Sequence, residues 1–203
     1  NSERNASPMV VTLVPPSDLV IGTVNLPAAA GGSNVLFDLT YTVQNNGSAI
    51  ARGPWTDDLY FSLDTTFDLG DTLIGRVIHN GDVPISDSYT ETLRARLPAV
   101  VPGDYHVLLR TDIRNQVREA NETNNIGASL DRFDLDVPAL TLGTPTNGAF
   151  DFSTENLLYR VDLTAGTTVR FAFDSTSLVF GRDGIFDLYL RRGELPTIGE
   201  FDA

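Results

Sequence analysis

Apolar and polar residues alternate with a period of two along most of this chain, in short runs broken by Gly, Pro, Asn and Asp. Successive side chains of an extended strand point to opposite faces, so such runs predict half-buried β-strands. Strands are expected over residues 18–26, 35–44, 58–63, 71–79, 89–97, 105–111 and 124–130. In the second run Phe37, Leu39, Tyr41 and Val43 share one face. That run ends in Asn45-Asn46-Gly47, a turn signal because Asn and Gly tolerate positive φ. Leu59, Phe61 and Leu63 form the inward set of the third run. Tyr89, Leu93, Ala95 and Leu97 form that of the fifth, and Tyr105, Val107 and Leu109 that of the sixth. No segment shows a convincing 3.6-residue period.

Short strands over about 115 residues, turning every 8–12 residues, describe a seven-stranded β-sandwich. The expected organisation is an extension over residues 1–16, the sandwich over 17–130, a linker over 131–139 and a second β domain over 140–203. Within the last, strands are expected over 157–163, 168–173 and 185–190, joined by Ala165-Gly166 and Arg182-Asp183-Gly184. So few strands rarely close a core by themselves, so this second domain is expected to be incomplete within the chain.

Charge changes the picture most. Fourteen basic against 27 acidic residues give a net charge of −13. A nucleic-acid partner would want a basic face for its phosphates, so that class is excluded. Cysteine is absent, which removes disulfides, thiolate metal sites and cysteine nucleophiles together. No apolar run approaches the roughly 20 residues of a membrane-spanning helix, so membrane insertion is not expected. Residues 1–8 lack the basic start and apolar stretch of a signal peptide, which places any export signal upstream.

Particular residues carry a resemblance. They are Asp18-Leu19-Val20, the run Tyr41-Thr42-Val43-Gln44-Asn45-Asn46-Gly47, Trp55 to Ser62, Asp64 to Gly75, and Asn121-Glu122-Thr123-Asn124-Asn125. Over residues 17–129 the chain resembles the CARDB family, the cell adhesion related domain found in bacteria. The resemblance implies an all-β, immunoglobulin-like sandwich in large surface proteins, with no catalytic residues. Residues 140–203 look like the opening of a bacterial pre-peptidase C-terminal domain. That likeness rests on Tyr159-Arg160-Val161-Asp162, Ala165-Gly166-Thr167 and Asp187 to Gly193, and it implies a jelly-roll-like sandwich lacking its last strands.

Candidate chemistry is sparse. Asp64, Asp68 and Asp71, bent together by Gly70, could converge on one hard cation, and Ca²⁺ accepts such irregular oxygen sets. Asp57 and Asp58 could join them from the preceding strand. The competing reading is that these carboxylates cap turns by accepting from backbone N–H groups. Asp112, Asn115, Glu119, Asn121, Glu122, Asn124 and Asn125 read as a loop stapled by its own side chains, in preference to a second cation or ligand loop. Asn5, Asn46 and Asn121 fit the glycosylation-acceptor pattern by chance, Trp55 is expected to pack, and His106 to face solvent. Nucleophile elbow, zinc-protease, P-loop and dinucleotide motifs are all missing.

The expected function is therefore a non-enzymatic structural or adhesion module of a secreted or cell-surface protein, stiffened by Ca²⁺ if the acidic loop holds it. Its partners would be neighbouring modules of the same polypeptide or other copies of the chain. The alternatives are an accessory module that binds a surface glycan or protein for a secreted hydrolase, and a filament subunit completed by strand exchange.

Overall fold

The computed structural model describes residues 12–27, 36–97, 100–148, 157–172, 187–193, 196 and 199–202, and among these there is no helix. The strands are β1 (Leu19–Asn25), β2 (Leu36–Asn45), β3 (Trp55–Ser62), β4 (Thr72–His79), β5 (Ser88–Arg96), β6 (Gly103–Arg110), β7 (Ile126–Ala128) and β8 (Phe133–Leu135). One sheet has the order β1-β2-β5, and the other β4-β3-β6-β7 with β8 as its fifth strand. The pairings of β1 with β2, β3 with β4, β3 with β6 and β6 with β7 are antiparallel. The chain divides into two compact units, the second taking Arg96–Gly103 and the residues from Asp134 onward.

Alternation sets the core of the first unit. In β2 Phe37, Leu39, Tyr41 and Val43 are buried, and Asp38, Thr40, Thr42 and Gln44 point the other way. On that outer face Thr42 Oγ1 lies 3.0 Å from Thr23 Oγ1, and Thr40 Oγ1 lies 3.1 Å from Thr92 Oγ1. The ten inward residues Phe37, Leu39, Tyr41, Val43, Leu59, Phe61, Leu93, Tyr105, Val107 and Leu109 are all buried.

Three expectations need correction. The third strand begins at Trp55 instead of residue 58, and Leu63, placed inward from sequence, lies beyond its end at 68% exposure. The central position of β3 explains its length, since it pairs with β4 from Trp55 to Phe61 and with β6 from Asp58 to Ser62. Leu130, at the end of the expected last strand, is exposed, because β7 stops at Ala128. The stretch read as a linker contains β8, whose Phe133 is 2% exposed. Its ring stacks 6.0 Å from Phe37 and 5.6 Å from Phe61, and Phe61 lies 5.6 Å from Tyr105.

The turn after β2 forms for a different reason than expected. None of its three residues takes a positive φ. Glycine is needed at 47 because a Cβ there would meet the Ser17 and Asp18 backbone at 2.3–2.5 Å. The buried Asn45 side chain braces the turn. Its Oδ1 accepts from the Asp18 and Gly47 amides, and its Nδ2 donates to the Ala49 and Val83 carbonyls.

In the second unit, the described residues 157–172 and 187–193 form no strand, contrary to the pattern reading. A strand exists only through a partner, and the bridge between Ala139 and Arg160 is the one pairing described there. The expected turn does form. Gly166 has φ 85° and Thr167 N donates to Thr164 O. Phe173, Ile185, Phe186 and the Arg182-Asp183-Gly184 turn lie outside the described residues, as does Asn5.

Candidate functional site

Asp57 is in phase with Leu59 and Phe61 on β3, so the period that buries those residues also drives its carboxylate between the sheets. It is fully buried and has no cationic partner within 4 Å among the described residues. Hydrogen bonds replace the cation. Oδ2 accepts from the Tyr41 hydroxyl at 2.9 Å and the Tyr89 hydroxyl at 2.7 Å. Oδ1 accepts from Thr111 Oγ1 at 2.7 Å and the Asp112 amide at 3.2 Å. Trp55 Nε1 donates to the Tyr89 hydroxyl at 3.1 Å. Burial holds the Asp57 pKa above the usual carboxylate range, and the bonds from Thr111, Tyr89, Tyr41 and Asp112 offset only part of that rise. Burial, then the Asp57 charge, also raises both tyrosine hydroxyls, so each stays protonated and keeps donating. The cluster ties β2 and β5 of one sheet to β3 and the end of β6 in the other.

His79 closes the same region. Its ring lies 3.9 Å from Tyr89 and 4.5 Å from Trp55, and Nδ1 sits 3.0 Å from Glu91 Oε1. Trp55 is fully buried, as expected of a packing residue. His106, expected in solvent, is half-buried, with Nδ1 3.1 Å from the Ser129 carbonyl. The return of the chain through Ser129 covers it.

Each of the other candidate acidic residues has a hydrogen-bond donor of its own. Asp58 is 1% exposed and takes a two-pronged contact from Arg76, Nε on Oδ1 at 2.6 Å and Nη2 on Oδ2 at 2.7 Å. It also accepts from the Tyr60 hydroxyl at 3.1 Å. In the loop between β3 and β4, Asp64 Oδ1 accepts from Thr66 N, Asp68 Oδ1 from Gly70 N, and Asp71 Oδ2 from Asp68 N. Among the described residues, no group of three His, Asp or Glu side chains is arranged to hold a metal ion.

The loop from Asp112 to Asn125 is stapled by its own side chains. Asp112, at φ 44°, accepts from the Gln116 amide on one oxygen and the Val117 amide on the other. Asn121 Oδ1 accepts from Thr123 N, and Glu122 Oε1 from Glu119 N. A cleft of about 270 Å³ runs beside this loop, lined by Phe67, Arg110, Asn115, Glu122 and Asn125 among others, with the Arg110 guanidinium 4.2 Å over the Phe67 ring.

The CARDB family model matches residues 16–129, more than half of the chain. The chain belongs to the CARDB family. Its first unit is thus a domain of the cell-adhesion-related, non-catalytic kind. Of solved structures, a CARDB domain from Pyrococcus furiosus in complex with di-metal ions is 18% identical, with a TM-score of 0.44 over 67% of this chain and 100% of that one. A Methanosarcina acetivorans domain, whose parent is named as a cell surface protein, is 18% identical with a TM-score of 0.44, over 58% and 92%. A β-glucosidase from Listeria innocua in complex with glucose is 12% identical with a TM-score of 0.36, over 60% of this chain and 16% of the enzyme. No curated protein matches the sequence. The CARDB match ends before Phe133, and the residues that resemble a pre-peptidase C-terminal domain lie outside it.

Sequence reasoning offered Asp57 only as an addition to the acidic loop and missed its role inside the CARDB sandwich. The available signal was its parity with Leu59 and Phe61. Its partners Tyr41, Tyr89 and Thr111 lie 16, 32 and 54 residues away, beyond any local motif.

Proposed function

We propose that the chain is a non-catalytic structural and adhesion module of a larger extracellular protein. One observation carries this: the buried carboxylates of the first unit serve the fold. Asp57 is held by four hydrogen-bond donors, Asp58 by Arg76 and Tyr60, and Asp112 by two backbone amides. A general acid and base need free, facing groups at a cleft, and these are committed elsewhere. A glycan and peptide substrate screen should show no turnover. Robust turnover abolished by changing one carboxylate would overturn the reading. On the same view, residues 140–203 belong to a neighbouring module, as their resemblance suggests.

We read the loop at Asp64, Asp68 and Asp71 as a set of capped turns. Binding Ca²⁺ would draw these oxygens from backbone N–H groups. Raising Ca²⁺ from a chelated state to millimolar should leave the melting temperature unchanged. An ion at a hundred times its dissociation constant would stabilise by about 2.7 kcal/mol. A rise of several degrees that Asp68→Ala abolishes would restore the cation reading.

A further inference from the structure

The acidic loop between β3 and β4 folds back over the outer face of the second sheet. Phe67, near its centre, lies 4.9 Å from the ring of Tyr60 on β3 and 4.2 Å beneath the guanidinium of Arg110, the last residue of β6. The loop thereby supplies one wall of the cleft of about 270 Å³, and the loop between β6 and β7 supplies the other. Capped turns in the first loop and staples in the second hold both walls in place before anything binds.

The polar groups of this lining are largely uncommitted. Arg110 is half-buried and hydrogen-bonds the Tyr60 hydroxyl, and among the described residues no carboxylate lies within 4 Å of it. That cation is left over in a chain where 27 acidic residues outnumber 14 basic ones. Glu122 accepts from the Glu119 amide through Oε1, which leaves Oε2 open. Asn125 Oδ1 is buried and accepts from no donor among the described residues. Asp112 and Asn115, also in the lining, have φ of 44° and 49°, two of the three positive values at non-glycine residues described. Backbone of that kind gathers where a protein clamps a ligand.

One cation among open acceptors selects a ligand with a single carboxylate and several hydroxyls close together. A polyanion would need further cations, and Glu122 would repel it. A peptide offers one backbone N–H per residue, strung along an extended chain, too few for this cluster of acceptors. The cleft falls just below the roughly 300–1,000 Å³ of sites for drug-sized ligands, which suits one sugar ring. We propose that it binds a hexuronic acid unit of a surface glycan. Arg110 pairs with the carboxylate, and Asn115 and Glu122 take ring hydroxyls. The proposal rests on the adhesion reading above and gives it a ligand class.

Titrating the whole ¹⁵N-labelled chain with methyl glucuronide should shift the Asn115, Thr123 and Ile126 amides saturably, with a Kd on the order of millimolar. Methyl glucoside, which lacks the carboxylate, should bind at least about tenfold more weakly, and Arg110→Gln should bring the glucuronide down to the same level. Should Arg110→Gln fail to fold, Thr123→Tyr, at an exposed position of the lining, fills the cleft and should abolish binding. Absence of a saturable shift, equal affinity for the two sugars, or tighter binding of a capped acidic dipeptide would each overturn the proposal. None of these outcomes touches the non-catalytic reading, which falls only to turnover in the substrate screen.

Discussion

Asp57→Ala should destabilise the first unit by about 3–5 kcal/mol, read as a lower urea midpoint, because stranded buried donors cost about 1–3 kcal/mol each before relaxation. The substitution removes the acceptor of the Tyr41, Tyr89 and Thr111 hydroxyls and of the Asp112 amide at once. Losing a desolvated charge offsets part of this, so the total is well below the sum over four bonds. Asp57→Asn should cost less, since the tyrosine hydroxyls can rotate to accept from the new amide. Tyr41→Phe should cost least, about 1 kcal/mol, because Asp57 keeps its other donors. An Asp57→Ala loss below about 1 kcal/mol would show that water replaces the carboxylate, and the cluster would not be a tie between sheets.

Phe133→Ala should cost about 3–4 kcal/mol, the range for emptying a buried aromatic site. Phe133 stacks on Phe37 and Phe61, so its loss opens a cavity against two rings. For a unit of this size the melting temperature should fall by about 10 °C or more. Phe133→Leu should recover most of that fall. If the alanine variant melts within about 2 °C of the wild type, β8 is dispensable and the sandwich ends where the family match does, at residue 129.

How much was legible follows from how local each signal is. The inward faces of β2, β5 and β6 were readable because alternation against polar neighbours is a property of one strand. β3 was harder, because Asp58 on its outward face is buried along with Trp55 and Asp57 on its inward face, which erases the contrast. β8 carried its signal in Phe133, Leu135 and Val137, all buried, but the intervening Asp134 and Asp136 made the stretch look like a polar linker. The acidic loop was legible as chemistry and ambiguous as function, since three carboxylates near a glycine suit a cation and a capped turn equally. Glu119 was legible as a member of the stapled loop, but its bond to Leu19 was not, because that partner is 100 residues away.

The two ends of β3 join the sheets by different means. Near Trp55 the join is made of directional bonds to Asp57, and near Phe61 it is made of stacked rings. Rings of similar volume can exchange places at modest cost, whereas a donor cannot replace an acceptor. Sequence drift among CARDB domains built this way should therefore run freely through Phe37, Phe61 and Phe133, one apolar side chain traded for another. At Tyr41, Asp57, Tyr89 and Thr111 it should move only in concert, several positions changing together or none at all.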